Sequence, residues 1–110
     1  MTASLLHAAA VQIQVGLMDS HGRQVRGSRV GVRLSKDSGA AEIVEKAQEQ
    51  MARLNFQFVT RASYCLHYPD GRQADKLPGS DRPFRLVGYK EILVKEYNRI
   101  VLFLKDSELG

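Results

Sequence analysis

The stretch VQIQVGL, residues 11–17, alternates apolar and polar or small residues with a period of two. This period places apolar side chains on one face of a β-strand and polar ones on the other. Turn-forming residues follow at 19–22 (DSHG), and a second alternating segment runs from about Arg26 or Ser28 to Leu34. Two such segments joined by a turn predict a β-hairpin at the start of the fold.

The segment after the hairpin has the periodicity of an amphipathic helix of about four turns. Asp37 or Ser38 stands where an N-cap is expected, and Glu42 and Glu45 lie near the positive end of the helix dipole. Asn55 follows the last apolar residue of the pattern and is expected to end the helix. The apolar stripe, at intervals of three and four, consists of Ala40, Ile43, Val44, Ala47, Met51 and Leu54.

The second half of the chain contains shorter elements. Alternation over 64–68 predicts a third strand, and the turn residues at 69–71 end it. The segment 73–77 is long enough for a short fourth strand, and 89–95 is compatible with a short helix. The run at 100–104 is almost wholly apolar, which is typical of a strand buried on both faces in the middle of a sheet.

The order of these elements predicts the fold. The first and last strands are the most apolar, so both are expected to be central, while the main helix covers one face. Two parallel central strands with antiparallel neighbours give an α+β ubiquitin-like β-grasp roll, with a mixed four- to five-stranded sheet and one main helix. A ferredoxin-like fold is the alternative, and it needs a second full helix, for which 89–98 is the only candidate. We expect a lead-in at 1–10, the domain at 11–105 and a tail at 106–110, consistent with a piece of a larger parent protein.

Bulk composition limits the possible functions only broadly. With 110 residues the chain has the length of one domain, and its net charge of +4 permits nucleic acid, anionic lipid or an acidic protein as partner. Cys65 is the single cysteine and has no partner for an internal disulfide, which fits a reducing, cytoplasmic location. No apolar stretch approaches the roughly 20 residues of a membrane span. Recruitment to a membrane surface through basic residues stays open.

A row of basic residues without an intervening acid lies between His21 and Lys36. Arg29 and Arg33 alternate with valines and a leucine, so they are expected to face outward from the second strand. A sheet edge with a row of arginines suits an acidic protein surface or a phosphate-rich partner. The alternative is that these charges only protect an exposed edge strand from aggregation. The residues of the row are Arg23, Arg26, Arg29, Arg33 and Lys36.

The residues required for catalysis or for holding a cofactor do not occur in recognisable patterns. His7, His21 and His67 are scattered, so the spacing of a metal site is missing. No serine has the flanking glycines of a nucleophile elbow, and no glycine run continues into the lysine of a phosphate-binding loop. We therefore expect a protein that is not an enzyme and that needs neither metal nor cofactor.

The second half of the chain is similar to the Ras-binding domain of class I phosphoinositide 3-kinases, and most of 11–104 resembles a Ras-association domain. The residues that carry this resemblance are the strand Tyr64–His67, the turn Asp70–Arg72, the segment Arg82–Phe84, the helix-like stretch Tyr89–Leu93 and the last strand Ile100–Leu104. The resemblance implies a ubiquitin-like fold. It also implies a non-catalytic module that engages a GTP-bound small GTPase of the Ras family.

In such domains, the resemblance implies, the second strand adds edge to edge onto a strand of the GTPase, whose effector region is acidic. Basic residues of the first helix often join in, and here these are Lys46 and Arg53. Glu42, Glu45 and Glu49 lie on the same helix and would oppose an acidic partner. The residues expected to bind the partner are Arg23, Arg26, Arg29, Arg33, Lys36, Lys46 and Arg53.

Three other functions are compatible with the same residues. One is a ubiquitin-like scaffold lobe of a FERM-like module that makes intramolecular or other protein contacts. Another is binding to anionic lipid, where each arginine near the surface contributes about 1 kcal/mol. The third is nucleic-acid binding, which the first two strands disfavour because they carry no aromatic side chain for stacking on bases.

Overall fold

The computed structural model describes residues 10–54 and 63–106. These residues form one β-sheet, and the helices lie in the connections between its strands. Of the predicted lead-in at 1–10 and tail at 106–110, residues 1–9 and 107–110 lie outside the described residues, whereas Ala10 and Asp106 belong to the first and last strands. The elements are β1 (Ala10–Met18), β2 (Val30–Ser35), α1 (Ala40–Arg53), β3 (Tyr64–His67), α2 (Leu86–Leu93), a 3₁₀ helix (Tyr97–Arg99) and β4 (Val101–Asp106).

The sheet has four strands in the order β2-β1-β4-β3. β1 pairs antiparallel with β2 and parallel with β4, and β3 pairs antiparallel with β4. Two parallel central strands with antiparallel neighbours were expected from the apolar content of the first and last strands, and this prediction is confirmed. The described residues therefore form a small α+β domain with a mixed four-stranded sheet and two α-helices.

The core lies between α1 and one face of the sheet. The stripe of α1 is fully buried at Ile43, Ala47 and Met51, as the period of three and four residues predicts. The period of two is likewise confirmed, because the apolar side chains of β1 and β2 face this core. Each fully buried aliphatic side chain contributes roughly 1.5–3 kcal/mol. The main sheet residues of the core are Ile13, Val15, Val30, Val32, Leu34, Leu66, Leu102 and Leu104.

The last strand is buried on both faces, as its apolar run predicts. Leu102 and Leu104 point into the core, whereas Phe103 is 1% exposed and lies on the opposite face of the sheet. Phe103 is placed directly opposite Gly16 of β1. Phe103 is thus a buried aromatic side chain on the outer face of the sheet.

The second strand begins later than expected, at Val30 instead of Arg26 or Ser28. Ser28 is buried, and its hydroxyl oxygen accepts the N–H of Leu17 at 2.8 Å. The same hydroxyl donates to the carbonyl oxygen of Val25 at 2.6 Å. A side-chain bond thus replaces the backbone ladder at this point, which period-two alternation does not reveal.

The predicted N-cap of α1 is wrong, because Gly39 occupies that position without a side-chain cap. Asp37 is exposed in the preceding turn, and Ser38 is completely buried. The Ser38 carbonyl oxygen accepts the N–H of Leu86, the first residue of α2, at 2.9 Å. Tertiary packing between the two helix starts therefore places Ser38 inside the fold, where its side chain does not cap the helix.

The possible fourth strand at 73–77 does not form, so the sheet has four strands and not five. Only isolated bridges occur there. The N–H of Ala74 donates to the Leu66 carbonyl oxygen at 2.7 Å, but the chain then turns back with Leu77 donating to Arg82 at 2.9 Å. This turn leaves too few consecutive residues in line for a strand.

The second helix begins before the predicted 89–95 and ends earlier, since α2 covers eight residues. Val94 ends it with a φ of 53°, in the left-handed region. About two turns do not supply the second full helix that a ferredoxin-like fold requires. In the described ranges, no helix has both the length and the apolar character needed to cross a bilayer.

The long connection after β3 is tied down by one tyrosine. The Tyr68 hydroxyl donates to the carbonyl oxygen of Lys76 at 2.5 Å. Its ring lies 6.1 Å from that of Phe84 and 5.1 Å from that of Tyr89, measured between centroids. Burial of this side chain raises the pKa of Tyr68 to about 12.

Replacing Tyr68 with Phe should lower the free energy of unfolding at neutral pH by about 1 kcal/mol, because the Lys76 carbonyl loses its donor. Urea unfolding of both proteins measures this difference. The native state holds the Tyr68 proton up to a pKa of about 12, whereas the unfolded chain loses it near 10. The contribution of this hydroxyl is therefore complete below pH 10 and is lost as the pH rises toward 12. The gap between wild type and Y68F should narrow in that window, and a constant gap would contradict this account.

Candidate functional site

β2 lies at one end of the sheet, and within 10–54 and 63–106 no strand pairs with its outer side. The direction of its backbone groups follows from those of β1. The N–H of Gln14 donates to the carbonyl oxygen of Ile100 at 2.9 Å, toward β4. Neighbouring residues of a strand direct their backbone groups to opposite sides, so those of Ile13 point toward β2.

The pairing register then fixes which β2 residues face the open edge. Gln14 lies opposite Gly31 as a non-hydrogen-bonded pair, and Ile13 lies opposite Val32 as a hydrogen-bonded one. Gly31 and Arg33 consequently direct their N–H and C=O groups away from β1. In the part of the chain that the structure describes, these groups have no backbone partner. β2 is thus an edge strand able to accept another strand.

The two arginines predicted to face outward are exposed: Arg33 lies in β2, and Arg29 directly precedes it. Arg29 and Arg33 are exposed, whereas the alternating Val30, Val32 and Leu34 are buried. Arg33 therefore combines a guanidinium on the outer face with backbone groups at the open edge.

A groove of about 180 Å³ runs between β2 and α1 and joins three of the predicted residues. Arg33 lines it together with Lys46 and Arg53 of the helix. Glu49 lines it as well, whereas Glu42 and Glu45 do not. None of the three cations has an ion pair with a described residue. The helix acids therefore offset the positive charge of this edge only in part.

The remaining predicted residues lie outside this groove, before and after β2. Arg23 and Arg26 are exposed in the β1–β2 turn, and Arg26 shares a shallow depression with Arg29. Lys36 follows β2 directly and is exposed, while its carbonyl oxygen accepts the N–H of Val87 at 2.8 Å. The structure thus divides the seven residues between a turn cluster, the groove and Lys36 at the end of the strand.

Asp19 holds the turn that carries Arg23. One carboxylate oxygen of Asp19 accepts the N–H groups of His21 and Arg23, each at 2.9 Å. These backbone bonds, that of Arg23 first, lower the pKa of the Asp19 carboxyl. Asp19 forms no ion pair with a described residue, and the Arg23 and Arg26 side chains are exposed.

Arg29 has a special position that the sequence pattern did not reveal. Its guanidinium lies 5.9 Å from the ring centroid of Phe103 and donates to the amide oxygen of Gln24 at 3.2 Å. Gly16 lies between the two, and a Cβ there would come within 3.0 Å of the Phe103 ring and 3.2 Å of Arg29 Cγ. The missing side chain lets Arg29 reach across β1. The signal for this contact is a glycine inside an otherwise regular strand.

Within the described ranges, no three His, Cys, Asp or Glu side chains lie close enough together to hold a metal ion. A scan against protein-family models and a search of curated proteins each found no match to the chain. The function therefore has to be argued from the geometry of the site and the pattern of the sequence.

Replacing Gly16 with Ala should lower the free energy of unfolding by about 1–3 kcal/mol, because a new methyl group would come within 3.0 Å of the Phe103 ring and 3.2 Å of Arg29 Cγ, and both side chains would have to shift. Gly31→Ala is the matched control on the neighbouring strand. A Cβ at Gly31 would meet the side-chain end of Gln12 at 2.6 Å, and that flexible end can move. Chemical denaturation should show a loss only for G16A, and equal losses in both variants would contradict the proposed role of Gly16.

Proposed function

We propose that this chain is a non-catalytic protein-binding domain with a ubiquitin-like β-grasp fold of the Ras-association type. Its partner is a GTP-bound small GTPase of the Ras family, bound through the open edge of β2. The sheet order with its parallel central pair supports the fold, and the resemblance of the sequence supports the choice of partner. The site geometry supports the mode of binding.

The observation that carries the proposal is the double role of Arg33. Its backbone N–H and C=O point to the open edge, where they can pair with a strand of the partner. Arg33 also lines the groove that Lys46 and Arg53 line, so an acidic side chain of the partner strand would meet cations beside the open edge. One residue thus offers both components of strand addition, backbone bonds for affinity and charge for selectivity.

The distribution of charge decides what such a contact contributes. Exposed cations raise the association rate and exclude partners of like charge, but they add little affinity individually. Backbone pairing along the edge must therefore supply most of the binding free energy. A partner with an acidic edge strand supplies both the backbone pairing and the opposite charge, which favours a protein partner over nucleic acid. The described strands support this choice, since the outer face of β1 and β2 carries no aromatic side chain.

Reversing the two strand charges in R29E/R33E should weaken binding to a GTP-loaded Ras-family protein at least tenfold, because an acidic effector strand then meets like charge. The matched control K76E/R82E makes the same change in net charge on exposed residues of the loop after β3. Titration calorimetry with GTP- and GDP-loaded protein measures both. Unchanged binding by R29E/R33E, or equal loss in the control, would contradict the assigned site. Absence of binding by the wild type would favour a FERM-like scaffold lobe.

The strand-pairing component can be separated from the charge by comparing R33P with R33A. Both variants lose the guanidinium, but only proline removes the N–H at the open edge, and β1 pairing is spared because these groups point away from it. R33P should bind about fivefold more weakly than R33A, which corresponds to roughly 1 kcal/mol for one hydrogen bond. Urea unfolding should first show that R33P and R33A are similarly stable. Equal affinities for the GTPase would then show that its binding uses the Arg33 side chain alone.

A further inference from the structure

A second basic site lies at the beginning of β4, away from the groove between β2 and α1. It is a pocket of about 270 Å³, here termed the β4 pocket. Apolar side chains line its floor, and cations from two parts of the chain, the hairpin and the segment before β4, line its rim. The residues that matter are Pro69, Val101 and Phe103 of the floor and Arg29, Lys95 and Arg99 of the rim.

The pocket exists because β3 is shorter than β4. β3 pairs with β4 only from Phe103 to Asp106, so the first residues of β4 have no described strand beside them on that side. After His67 the chain turns away at Pro69, which becomes one wall of the opening. The gap therefore belongs to the sheet itself, and its floor does not depend on a loop closing over it.

The charged side chains that line the β4 pocket are all positive. Three cations line it, and no described Asp or Glu does. None of these cations forms an ion pair with a described residue. Arg29 is also fixed in direction, by its contact with the Phe103 ring and its bond to Gln24. Several cations around one opening add their potentials, so the pocket attracts an anion more strongly than scattered surface charges would.

The backbone before Lys95 is strained. Val94 adopts a φ of 53°, which a β-branched residue rarely takes, and its side chain is 85% exposed, so burial does not offset the strain. This conformation ends α2 and lets both Leu93 and Lys95 line the pocket. Strain of this kind concentrates at ligand sites. It supports a functional reason for placing Lys95 at the rim.

We propose that the β4 pocket binds a phosphorylated small molecule or headgroup. Its phosphate groups would lie against Arg29, Lys95 and Arg99, and its carbon skeleton against Pro69 and Val101. Arginine matches the geometry of phosphate oxygens, and three cations suit a ligand with more than one phosphate. The volume lies just below the roughly 300–1,000 Å³ of typical small-molecule sites, which suits a ligand of headgroup size. The inference does not rest on the proposed binding of a GTPase and shares only Arg29 with it.

Soluble inositol trisphosphate and vesicles of phosphatidylcholine with phosphatidylinositol bisphosphate present the same chemistry from two sources. Calorimetry with the first and co-sedimentation with the second identify the source that the pocket takes. The test variant is K95Q/R99Q, and the matched control K76Q/R82Q removes the same charge from the loop after β3. All four side chains are exposed, so both variants should unfold like the wild type.

We expect K95Q/R99Q to lose at least tenfold in affinity for whichever probe binds, and the control to change less than twofold. Binding of GTP-loaded GTPase should persist in K95Q/R99Q, so the failure of one proposal is visible apart from that of the other. Equal losses of affinity in K95Q/R99Q and K76Q/R82Q would show that only the net charge of the protein matters, and this would overturn the proposal. Failure of the wild type to bind either probe at millimolar concentration would overturn it as well.

Discussion

The parallel pairing of β1 with β4 is the contact on which the rest of the structure depends. It joins Gln14 to Val101 and so connects the two ends of the described chain. Each of the two strands then has one side left for pairing. β2 pairs with β1 and β3 pairs with β4, so β2 and β3 form the edges of the sheet. The closure of so long a loop is unfavourable in entropy, and the burial of the apolar side chains of both strands offsets it. The open edge of β2 and the position of Phe103 opposite Gly16 are direct consequences.

Much of this arrangement could be predicted from local patterns. The period of two at 11–17 and the apolar run at 100–104 report how many faces each strand buries, and this was enough to place both in the centre of the sheet. The errors occur where tertiary contacts, which no period records, decide the role of a residue. Ser28 replaces a backbone ladder with its hydroxyl, and Ser38 is buried between two helix starts instead of capping one. Hydrogen bonds of this kind depend on tertiary contacts.

The candidate sites also differ in how far the sequence predicts them. The outward direction of Arg29 and Arg33 followed from alternation along a strand, so the charged edge could be predicted. The meeting of Arg33 with Lys46 and Arg53 depends on how α1 packs on the sheet, and a resemblance was needed to suggest it. The β4 pocket could not be predicted at all. Its cations come from the hairpin and from the segment before β4, and only the pairing of the terminal strands brings them together.

The direction of the two central strands also determines how the domain resists mechanical force. Because β1 and β4 run parallel, Ala10 and Asp106 lie at opposite ends of their ladder. A pull between these points acts along the strands and loads the hydrogen bonds between them in shear, all at the same time. An antiparallel pair pulled from adjacent ends would instead open one bond after another. In a longer polypeptide under tension, such a ladder would raise the barrier to unfolding, which governs lifetime under force.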